Sequence, residues 1–486
     1  MKRCITPAMV RKELKTMPET LDQMYDRILQ AIPRLHQQYV QSAMHWLAFS
    51  ARPLLLSELA EAVTIDPKLG GFDPNDMRLM DESLVLDLCG TLTTVSKIEY
   101  TSVSTNWFSE KIKLEHGHAP RCDLAEAYTV SLSHYSVKEY IISNRLRESS
   151  LALYSTSEKI ANQFLAECCL IYILDFNGGE ICVPPSFSKY PLLQYSSRFW
   201  MEHWKAVERS AESPALENLL RRLFNPSNLD PYVNWLNIWN PDSVAPGTRL
   251  FWWRRTRSAC LHPKPLYYAS ILGHCAIARW LHEEGCDIHA REGYFGSAFA
   301  VAAFEGHTDL VGYFLEAGAD PNLQGLRFGS VLQTAAAGGS LPVVQMLLEA
   351  GADVNSEGGE YNTALVAAAS HEHDTVVAIL LEHGADLNIG SRYHGSALYQ
   401  AASTGDEKMV VTLLAAGADI NHIGDSDGTP LYAAAISGST SLVQNLLRRG
   451  AEVDKGGFGE FGYPLVAAAH KYANALRIFF TVSHPW

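Results

Sequence analysis

The stretch TPLYAAAISGSTSLVQNLLRRGAEVD, residues 429–454, carries the clearest structural pattern in the C-terminal half of this 486-residue chain. Small residues after Pro430 suit a closely packed helix, and apolar residues then return at helical spacing before Gly450. Glycine suits the point where that second helix stops, because a left-handed backbone costs least at glycine. The closing triplet of Gly, a small residue and an acid recurs at a step of 33 residues, beginning at Gly285, Gly318, Gly351, Gly384, Gly417 and Gly450.

A second marker keeps the same 33-residue step. It is a small residue, Pro or Val ahead of Leu or Phe, at Pro265, Ala298, Val331, Ala364, Ala397 and Pro430, with Pro464 one residue late. Two markers locked to one period indicate a repeated unit, and this period is that of ankyrin repeats. Residues 261–486 are therefore predicted to form about seven helical pairs, stacked as a solenoid that displays a binding surface.

The units resemble ankyrin repeats in detail, with one departure. The histidine that usually follows the Leu of the second marker is replaced, for example by Tyr267, Gln333 and Tyr399. We expect its turn-locking hydrogen bond to be missing and the repeats to be somewhat softer. Asparagine recurs in the loops that lead to the next unit, at Asn322, Asn355, Asn388 and Asn421.

Apolar spacing also organises the first half of the chain. It predicts helices over 14–32, 43–50, 57–63, 81–92 and 137–146, with β-rich stretches over 93–103 and 127–133. Pro33 should end the first helix, and Ser57 is the expected N-cap of the third, with Glu58 in its first turn. Helices followed by a two-stranded wing form a winged-helix plan. More helices are predicted over 156–242, before a Trp-rich cap.

The predicted fold is mostly α, with a winged-helix-like and helical N-terminal half followed by an ankyrin-repeat α-solenoid. The predicted domains are a helical segment at 1–42, a winged-helix-like domain at 43–150, a helical linker domain with the Trp-rich cap at 151–260, and the repeats at 261–486.

Three stretches carry a family resemblance: LKTMPETLDQMYDRILQAIP at 14–33, AMHWLAFSARPLLLSELAEAVTIDP at 43–67 and LSHYSVKEYI at 132–141. They are similar to the C-terminal part of fungal NACHT proteins of the STAND class, the NLR-like receptors. The resemblance implies a P-loop ATPase before these segments, a helical stretch after them and repeats as the sensor end. The last unit ends at Ile478-Phe479-Phe480 without its closing triplet, which leaves a truncated or split receptor as an open expectation.

The chemistry of nucleotide binding requires a G-x-x-x-x-G-K-[ST] loop, and the sequence contains no such string. His134 matches the position where the related receptors hold a nucleotide phosphate, so without that loop we favour packing at a strand end for it. Residues 424–428 read G-x-S-x-G, but their place in a repeat loop argues against a nucleophile elbow. His371 and His373 lack the spacing of a zinc protease pair. We expect no catalytic, cofactor or metal site.

Charge narrows the class of partner. Residues 265–486 contain 10 Lys and Arg against 24 Asp and Glu, which accounts for the whole formal net charge of −14. An acidic surface repels phosphate backbones, so we expect no nucleic acid and instead a protein partner with a basic or aromatic surface. The longest apolar run, near 168–174, is too short for a membrane span. Nine cysteines without a C-x-x-C pair fit reduced thiols, hence the cytoplasm, with the nucleus as the alternative.

The remaining functional signal lies where ankyrin proteins bind partners, on the loop tips and the face of the first helices. Aromatic and Arg side chains in loops have the composition of binding hot spots. The candidates at the tips are Tyr294, Phe295, Arg327, Phe328, Tyr361, Tyr393, His394, Asp427 and Phe461, and those on the first helices are Phe304, Glu305 and His371. For Phe295, Phe328 and Phe461 packing between hairpins stays open, because an aromatic residue followed by Gly recurs with the repeat.

These observations predict a non-enzymatic, NLR-like protein-interaction module that binds a protein through its repeat tips and concave face. The alternative is the regulatory and sensor portion of a nucleotide-dependent STAND receptor whose ATPase is missing or supplied elsewhere. DNA binding by the winged helix is a third alternative, although its segment has no basic recognition helix.

Overall fold

The computed structural model describes residues 20–72, 78–97, 128–176, 189–207, 213–241, 263–325, 327–391, 394–423, 428–455, 463, 464 and 466. The chain divides into two compact units, Met1–Pro241 and Asp242–Trp486. The fold is mostly helical, as predicted. No helix within the described ranges combines the length and apolarity needed to cross a membrane.

The first unit combines helices with a small sheet. Its helices are Leu21–Gln30, Gln37–Phe49, Leu56–Ala62, Leu84–Cys89, Tyr135–Ile142, Asn144–Arg147, Glu158–Asp175, Leu193–Ala206, Pro214–Leu223 and Asp230–Ile238, with short 3₁₀ turns at Arg34–His36, Gly90–Leu92 and Ala152–Tyr154. Its strands are β1 (Leu54–Leu55), β2 (Thr93–Lys97) and β3 (Tyr128–Leu132). Strand β3 lies between the other two and is antiparallel to both, which gives the sheet order β1-β3-β2.

The first helix begins later than its apolar pattern suggests. Thr20 is its N-cap and accepts a hydrogen bond from the backbone N–H of Gln23, so the helix starts at Leu21. Its end at Gln30 agrees with the stop predicted from Pro33. The part of the predicted helix before Thr20 lies outside the described residues.

The prediction of Ser57 as an N-cap is wrong. That helix begins at Leu56, which places Ser57 inside its first turn. The reason is that Leu55 already pairs with Thr129 in the sheet, and its backbone N–H donates to the Glu58 carboxylate at 2.8 Å. Glu58 also receives two hydrogen bonds from the Arg52 guanidinium, at 2.7 and 2.5 Å. Glu58 therefore performs the capping, from the first turn where we expected it.

The core of the first unit forms around helix Glu158–Asp175, whose side chains are buried on most sides. The indole rings of Trp46, Trp200 and Trp235 are fully buried in this unit. Trp200 and Trp235 pack edge to face, with ring centroids 5.3 Å apart. The helices predicted between 156 and 242 are thus present in the described residues, and they bury their apolar faces against one another.

His134 lies at the end of β3, where the sequence placed it, and caps the helix that follows. Its Nδ1 accepts a hydrogen bond from the backbone N–H of Ser136 at 3.2 Å and lies 2.7 Å from the Ser136 hydroxyl. The same hydroxyl lies 2.7 Å from the Tyr25 hydroxyl. His134 is exposed, and its local role is that of an N-cap.

The second unit is a series of helical pairs. The first helices of the pairs are Pro265–Leu272, Ala298–Phe304, Val331–Gly338, Ala364–Ser370, Ala397–Thr404 and Pro430–Ser437. The second helices are Cys275–Glu283, Thr308–Glu316, Leu341–Glu349, Asp374–Glu382, Glu407–Ala415 and Thr440–Arg448. Each first helix begins at the residue of the second sequence marker, which confirms the 33-residue repeat. We number these pairs repeat 1 to repeat 6; most of the unit predicted at Pro464 lies outside the described residues.

The glycine of each closing triplet ends a second helix as predicted. From Gly285 to Gly450 these six residues have φ between 81° and 102°, a range that L side chains avoid. The apolar sides of both helices are buried between neighbouring repeats. In repeat 4, for example, Leu365, Val376 and Leu380 are at most 1% exposed.

The residues that replace the usual histidine make hydrogen bonds of their own. In repeat 3 the buried Gln333 donates from Nε2 to the carbonyls of Ser356 and Asn362, at 2.6 and 2.8 Å. In repeat 1 the Tyr267 hydroxyl accepts from the backbone N–H of Phe295 at 3.2 Å. These bonds reach into the hairpin of the following repeat, so Gln333 and Tyr267 make inter-repeat contacts of their own in place of the histidine's bond.

Candidate partner-binding surface at the hairpin tips

A short β-hairpin precedes the first helix in repeats 2 to 5. Single antiparallel bridges close the hairpins, between Arg291 and Ser297, Gln324 and Ser330, Gly358 and Asn362, and Ser391 and Gly395. One position of the four tips, repeated every 33 residues, holds Phe295, Phe328, Tyr361 and His394. Their rings stack in order, with successive centroids 5.3, 6.1 and 4.8 Å apart and planes within 29° of each other. Aromatic rings attract at these separations, so the stack joins four tips into one surface.

The neighbouring position of the tips holds Tyr294, Arg327 and Glu360, again 33 residues apart. The Arg327 guanidinium lies over the Tyr294 ring, 4.7 Å from its centroid. Its Nε donates to Glu360 Oε2 at 2.8 Å. Glu360 Oε1 lies 3.7 Å from His394 Nε2. The Tyr294 ring, the Arg327 guanidinium and the Glu360 carboxylate thus form a row beside the ring stack, and Glu360 connects this row to His394 of the stack.

The ends of the first helices contribute to the same surface. The Phe304 ring lies 4.5 Å from the Phe295 ring and 6.2 Å from the Phe328 ring. In repeat 4 the His371 Nε2 lies at hydrogen-bond distance from the Tyr361 hydroxyl, 2.9 Å. Helix ends and tips are therefore held together by direct contacts.

We define the tip surface by the accessible members of this cluster. They are Tyr294, Phe304, Glu305, Arg327, Glu360, Tyr361, His371 and His394. Glu305 and His371 are exposed and the others are half-buried. Phe295 and Phe328 lie beneath them, only 9% and 6% exposed. The packing interpretation of these two phenylalanines agrees with their burial.

Two groups of the tip surface have shifted pKa values. Burial raises the pKa of the Tyr361 hydroxyl, and the neighbouring Glu360 carboxylate adds to the rise. His371 keeps an exposed face, but partial removal of its ring from water lowers its pKa, and the nearby His373 and His394 lower the pKa further, while Glu360 partly opposes them. His371 is therefore neutral over a wider pH range than an ordinary histidine, and its ring presents an uncharged face at neutral pH.

The structure brings together most of the predicted site residues. Those in mutual contact are Tyr294, Phe295, Phe304, Arg327, Phe328, Tyr361, His371 and His394. Glu305 follows Phe304 in the chain and is exposed beside it. Tyr393, Asp427 and Phe461 lie outside the described residues.

Two carboxylates of this region were missed from the sequence. Glu360 stands one repeat period after Arg327, and that 33-residue offset between opposite charges is the signal that could have found their ion pair. Glu372 stands at a position that is Gly273, Gly306, Gly339, Gly405 and Gly438 in the other repeats. When the repeats are aligned, this glutamate stands where the other five have glycine, and that difference could have marked the position.

Glu372 has a left-handed backbone, with φ 60°, like the glycines of its column, whose φ lies between 67° and 81°. A non-glycine residue in this conformation costs about 1–2 kcal/mol relative to its preferred backbone. Asn362, at φ 65°, is the other described non-glycine residue with positive φ. Asn362 gains side-chain hydrogen bonds to the Gly390 carbonyl at 3.0 Å and from the Gly358 N–H at 3.2 Å. Glu372 is exposed and its side chain has no hydrogen bond or ion pair to any residue that the structure describes.

Comparison with known proteins identifies the repeats. Residues 299–391, 331–423 and 391–457 match the family model of ankyrin repeats in three overlapping copies. Two similar solved structures are the human ASB11 ankyrin repeat domain and the ankyrin repeat domain of Bcl-3, a member of the IκB protein family, each 24% identical. They cover 46% and 45% of this chain and 100% and 98% of their own, with TM-scores of 0.40 and 0.38.

A curated relative is Azaphilone pigments biosynthesis cluster protein L of Monascus ruber, 28% identical over 303 residues. The match covers 60% of this chain and 57% of the relative, so the chain spans little more than half the length of that protein. The helical pairs match the ankyrin family model over 299–457, and they keep one period from Pro265 to Arg448. The second unit is therefore an ankyrin-repeat solenoid.

Proposed function

We propose that this protein is a non-enzymatic protein-interaction module that binds a polypeptide partner through the tip surface. The observation that carries the proposal is one contiguous run of half-buried rings and charged groups across four repeats. Tyr294, Arg327 and Tyr361 belong to the residue types that dominate binding hot spots. Ankyrin repeats are in general protein-binding modules, which gives this surface its context.

Packing between successive hairpins does not account for all the aromatic side chains of the tip surface. The buried Phe295 and Phe328 already fill the space between successive hairpins. Tyr294, Phe304 and Tyr361 keep part of their rings accessible. Rings held in place by stacking lose little conformational entropy when a partner covers them, which favours affinity.

Charge supports a partner with basic or aromatic character. The repeats carry the entire net charge of −14, and Glu305 is exposed at the edge of the tip surface. Phosphate backbones are repelled by such a surface, so a protein is the partner class that fits. The cytoplasmic location inferred from the cysteines belongs to this proposal as well.

The test is a comparison of matched variants of the full chain. The tip variant combines Tyr294→Ala, Tyr361→Ala and His371→Ala. The control variant combines Trp280→Ala, Tyr313→Ala and His383→Ala, which likewise removes two aromatic rings and one imidazole, from the second-helix side of the repeats. In affinity purification followed by mass spectrometry, a partner should be retained by the parent and control proteins and lost by the tip variant. A partner retained equally by all three contradicts the proposed surface.

We propose, as a second candidate, that the chain is the regulatory and sensor portion of a nucleotide-dependent STAND receptor. Among the described residues between Gln37 and Leu132, the order helix, strand, helix, helix, strand, strand and the β1-β3-β2 sheet support this. That order agrees with a winged-helix plan. Reading the gene upstream of Met1 for an in-frame P-loop tests the proposal, and ATP binding by a complex with a separate P-loop protein tests its two-chain form.

A further inference from the structure

Three histidines meet around Tyr361 of the tip surface. The His394 ring stacks on the Tyr361 ring, with centroids 4.8 Å apart, and the His371 ring packs edge-on against it at 5.5 Å. The rings of His371 and His373 lie 6.0 Å apart with planes within 15° of each other. Histidine is the side chain whose charge ordinarily changes between pH 5 and 8. A surface built around these rings therefore has a charge that depends on pH.

The contact between His371 and Tyr361 depends on the proton count of the imidazole. His371 Nε2 lies 2.9 Å from the Tyr361 hydroxyl. That hydroxyl keeps its hydrogen at neutral pH, because burial and Glu360 raise its pKa. A neutral imidazole with its hydrogen on Nδ1 accepts the hydroxyl hydrogen at Nε2, whereas an imidazolium has N–H on both nitrogens and only donates. Protonation of His371 thus excludes donation by Tyr361 and leaves its hydroxyl hydrogen to another acceptor.

One carboxylate balances the cations of this cluster. Glu360 Oε2 accepts from Arg327 Nε at 2.8 Å, and Glu360 Oε1 lies 3.7 Å from His394 Nε2. When the histidines are neutral, the charges of Arg327 and Glu360 cancel. Among the described residues, no second carboxylate contacts the His371 ring. A proton on His371 therefore adds a positive charge that this cluster does not neutralise.

The surroundings of His371 favour its neutral form. The titratable groups that face it come from its own hairpin, the next hairpin and the turn after its helix: Glu360, Tyr361, His373 and His394. Glu372 follows it in the chain and is exposed. The equivalent positions in the two neighbouring repeats, Gly338 and Thr404, carry no charge. Partial removal of His371 from water and the two histidines lower its pKa, and Glu360 only partly opposes them.

Building on the proposed function, we propose that protonation of His371 releases the partner from the tip surface, so that the interaction is sensitive to acid. A partner that covers His371 removes its exposed face from water, which disfavours the imidazolium further. The added charge also repels the basic partner surface that the acidic repeats favour. Partner binding and protonation of His371 therefore compete. Release of one proton on binding changes an affinity by up to about tenfold per pH unit.

A selected peptide serves as the probe of this competition. A phage library of random peptides is panned against the full chain at about pH 7.5. One selected peptide that the tip variant does not bind is then labelled with fluorescein. Fluorescence anisotropy at about pH 7.5 and about pH 5.5 should show an affinity about fivefold lower at the acid pH, as expected for one proton released on binding.

Matched variants assign the effect to His371. The readout is the ratio of the affinities at the two pH values, which separates the titration from any change in affinity at the higher pH. In His371→Gln the ratio should fall to about twofold or less, because glutamine keeps a polar group near the Tyr361 hydroxyl and does not titrate. His383→Gln removes a histidine from the end of the second helix of the same repeat. Its ratio should stay at about fivefold, since His383 lies outside the tip surface.

The titration of His371 is also measurable without a peptide. NMR of the full chain with histidine labelled by ¹³C at Cε1 follows each imidazole, and His371→Gln assigns its resonance. The midpoint should lie below about pH 6.5, the ordinary value for histidine. It should move lower still in Glu360→Gln, because that carboxylate favours the proton.

Three results overturn acid release. They are an affinity that is unchanged or higher at the acid pH, an equal ratio in the parent and His371→Gln proteins, and a His371 midpoint at or above about pH 6.5 in the free chain. Each of them leaves the tip surface in place, since the tip variant still fails to bind the peptide. If every selected peptide binds the tip variant as tightly as the parent, the proposed function fails, and acid release falls with it.

Discussion

Asn322, Asn355, Asn388 and Asn421 connect each repeat to the next through one side chain. The Asn355 Nδ2 donates to the Gly384 carbonyl at 3.1 Å, and its Oδ1 accepts from the Asp386 N–H at 2.8 Å. The other three asparagines accept the equivalent N–H, at 2.8 to 3.1 Å. The recurrence of asparagine was visible in the sequence, but its partners one repeat later became clear only from the fold.

Replacement of Asn355 by alanine should lower the free energy of unfolding of the repeats by about 1 kcal/mol, because two inter-repeat hydrogen bonds are lost near solvent. The matched control is His289→Ala, at the same position of repeat 1, where no side-chain hydrogen bond of this kind joins the described residues. Urea denaturation measures both variants. Equal effects would contradict the role of the asparagine ladder.

Glu372 and Gly405 allow a reciprocal test of backbone strain. Glu372→Gly should raise the free energy of unfolding by about 1 kcal/mol, since relief of the left-handed conformation exceeds the entropy cost of glycine. Gly405→Glu should lower it by a similar amount. At Gly405 the nearest atom to a new Cβ is 3.7 Å away, which is an ordinary contact, so the change reports backbone preference. Thermal melts of the two variants should shift in opposite directions, and shifts of the same sign would refute this account.

At the scale of elements, a buried hydrogen-bond chain joins two long helices of the first unit. His203 Nε2 lies 2.9 Å from the Tyr195 hydroxyl and its Nδ1 lies 2.7 Å from Asn162 Oδ1. Nearby His45 is buried against the Phe164 ring, with centroids 5.0 Å apart. Burial lowers the pKa of both histidines to about 4.

These two histidines predict acid sensitivity of the first unit. Above pH 6.5 they are neutral in both folded and unfolded states, so their contribution is fully present. As pH falls from 6.5 towards 4, these histidines bind protons in the unfolded chain but not in the folded unit. At pH 5 this lowers the free energy of unfolding by about 2 kcal/mol per histidine. Urea unfolding followed by tryptophan fluorescence should show this loss between pH 7 and pH 5. His203→Gln should remove roughly half of it, and an unchanged pH dependence would count against this assignment.

The sequence predicted the elements of the repeats better than those of the first unit, for a physical reason. In repeats 2 to 6 a Ser or Thr caps each first helix, with its side chain accepting from the N–H three residues later. Local chemistry thus sets the start of the first helix in these five copies. In the first unit the start at Leu56 depends on strand pairing with β3, about 75 residues away, which local pattern cannot reveal.

The sequence predicted most residues of the candidate surface but not the side-chain contacts between them. The period identified Tyr294, Arg327 and Tyr361 as tip residues. The 33-residue offset places Glu360 beside Arg327 in the next hairpin, but only the stacking of the hairpins shows that the two side chains form an ion pair. The left-handed backbone at Glu372 is likewise a consequence of the repeat geometry.

At the scale of the whole molecule, charge is distributed unequally. The residues before 265 carry 29 basic and 29 acidic side chains, whereas the repeats carry all 14 excess negative charges. A field of one sign on one unit steers oppositely charged partners and is screened by salt. Association should therefore depend on ionic strength through the repeats.

Raising the salt concentration from about 0.05 to 0.5 M should slow association with the partner by about tenfold or more, while dissociation changes less. Surface plasmon resonance with the immobilised full chain measures both rates. Glu305→Gln with Glu372→Gln should reduce the salt dependence. An association rate that is insensitive to salt would show that the acidic repeats do not attract the partner.

The tip surface is the proposed binding site of a partner polypeptide. Hydrogen–deuterium exchange of the full chain, with and without the partner found by affinity purification, tests it most directly. We expect slower exchange at the hairpins around 291–297, 324–330 and 358–362 when the partner is bound, and unchanged exchange in the second helices. Protection confined to the second helices or to the first unit would contradict it.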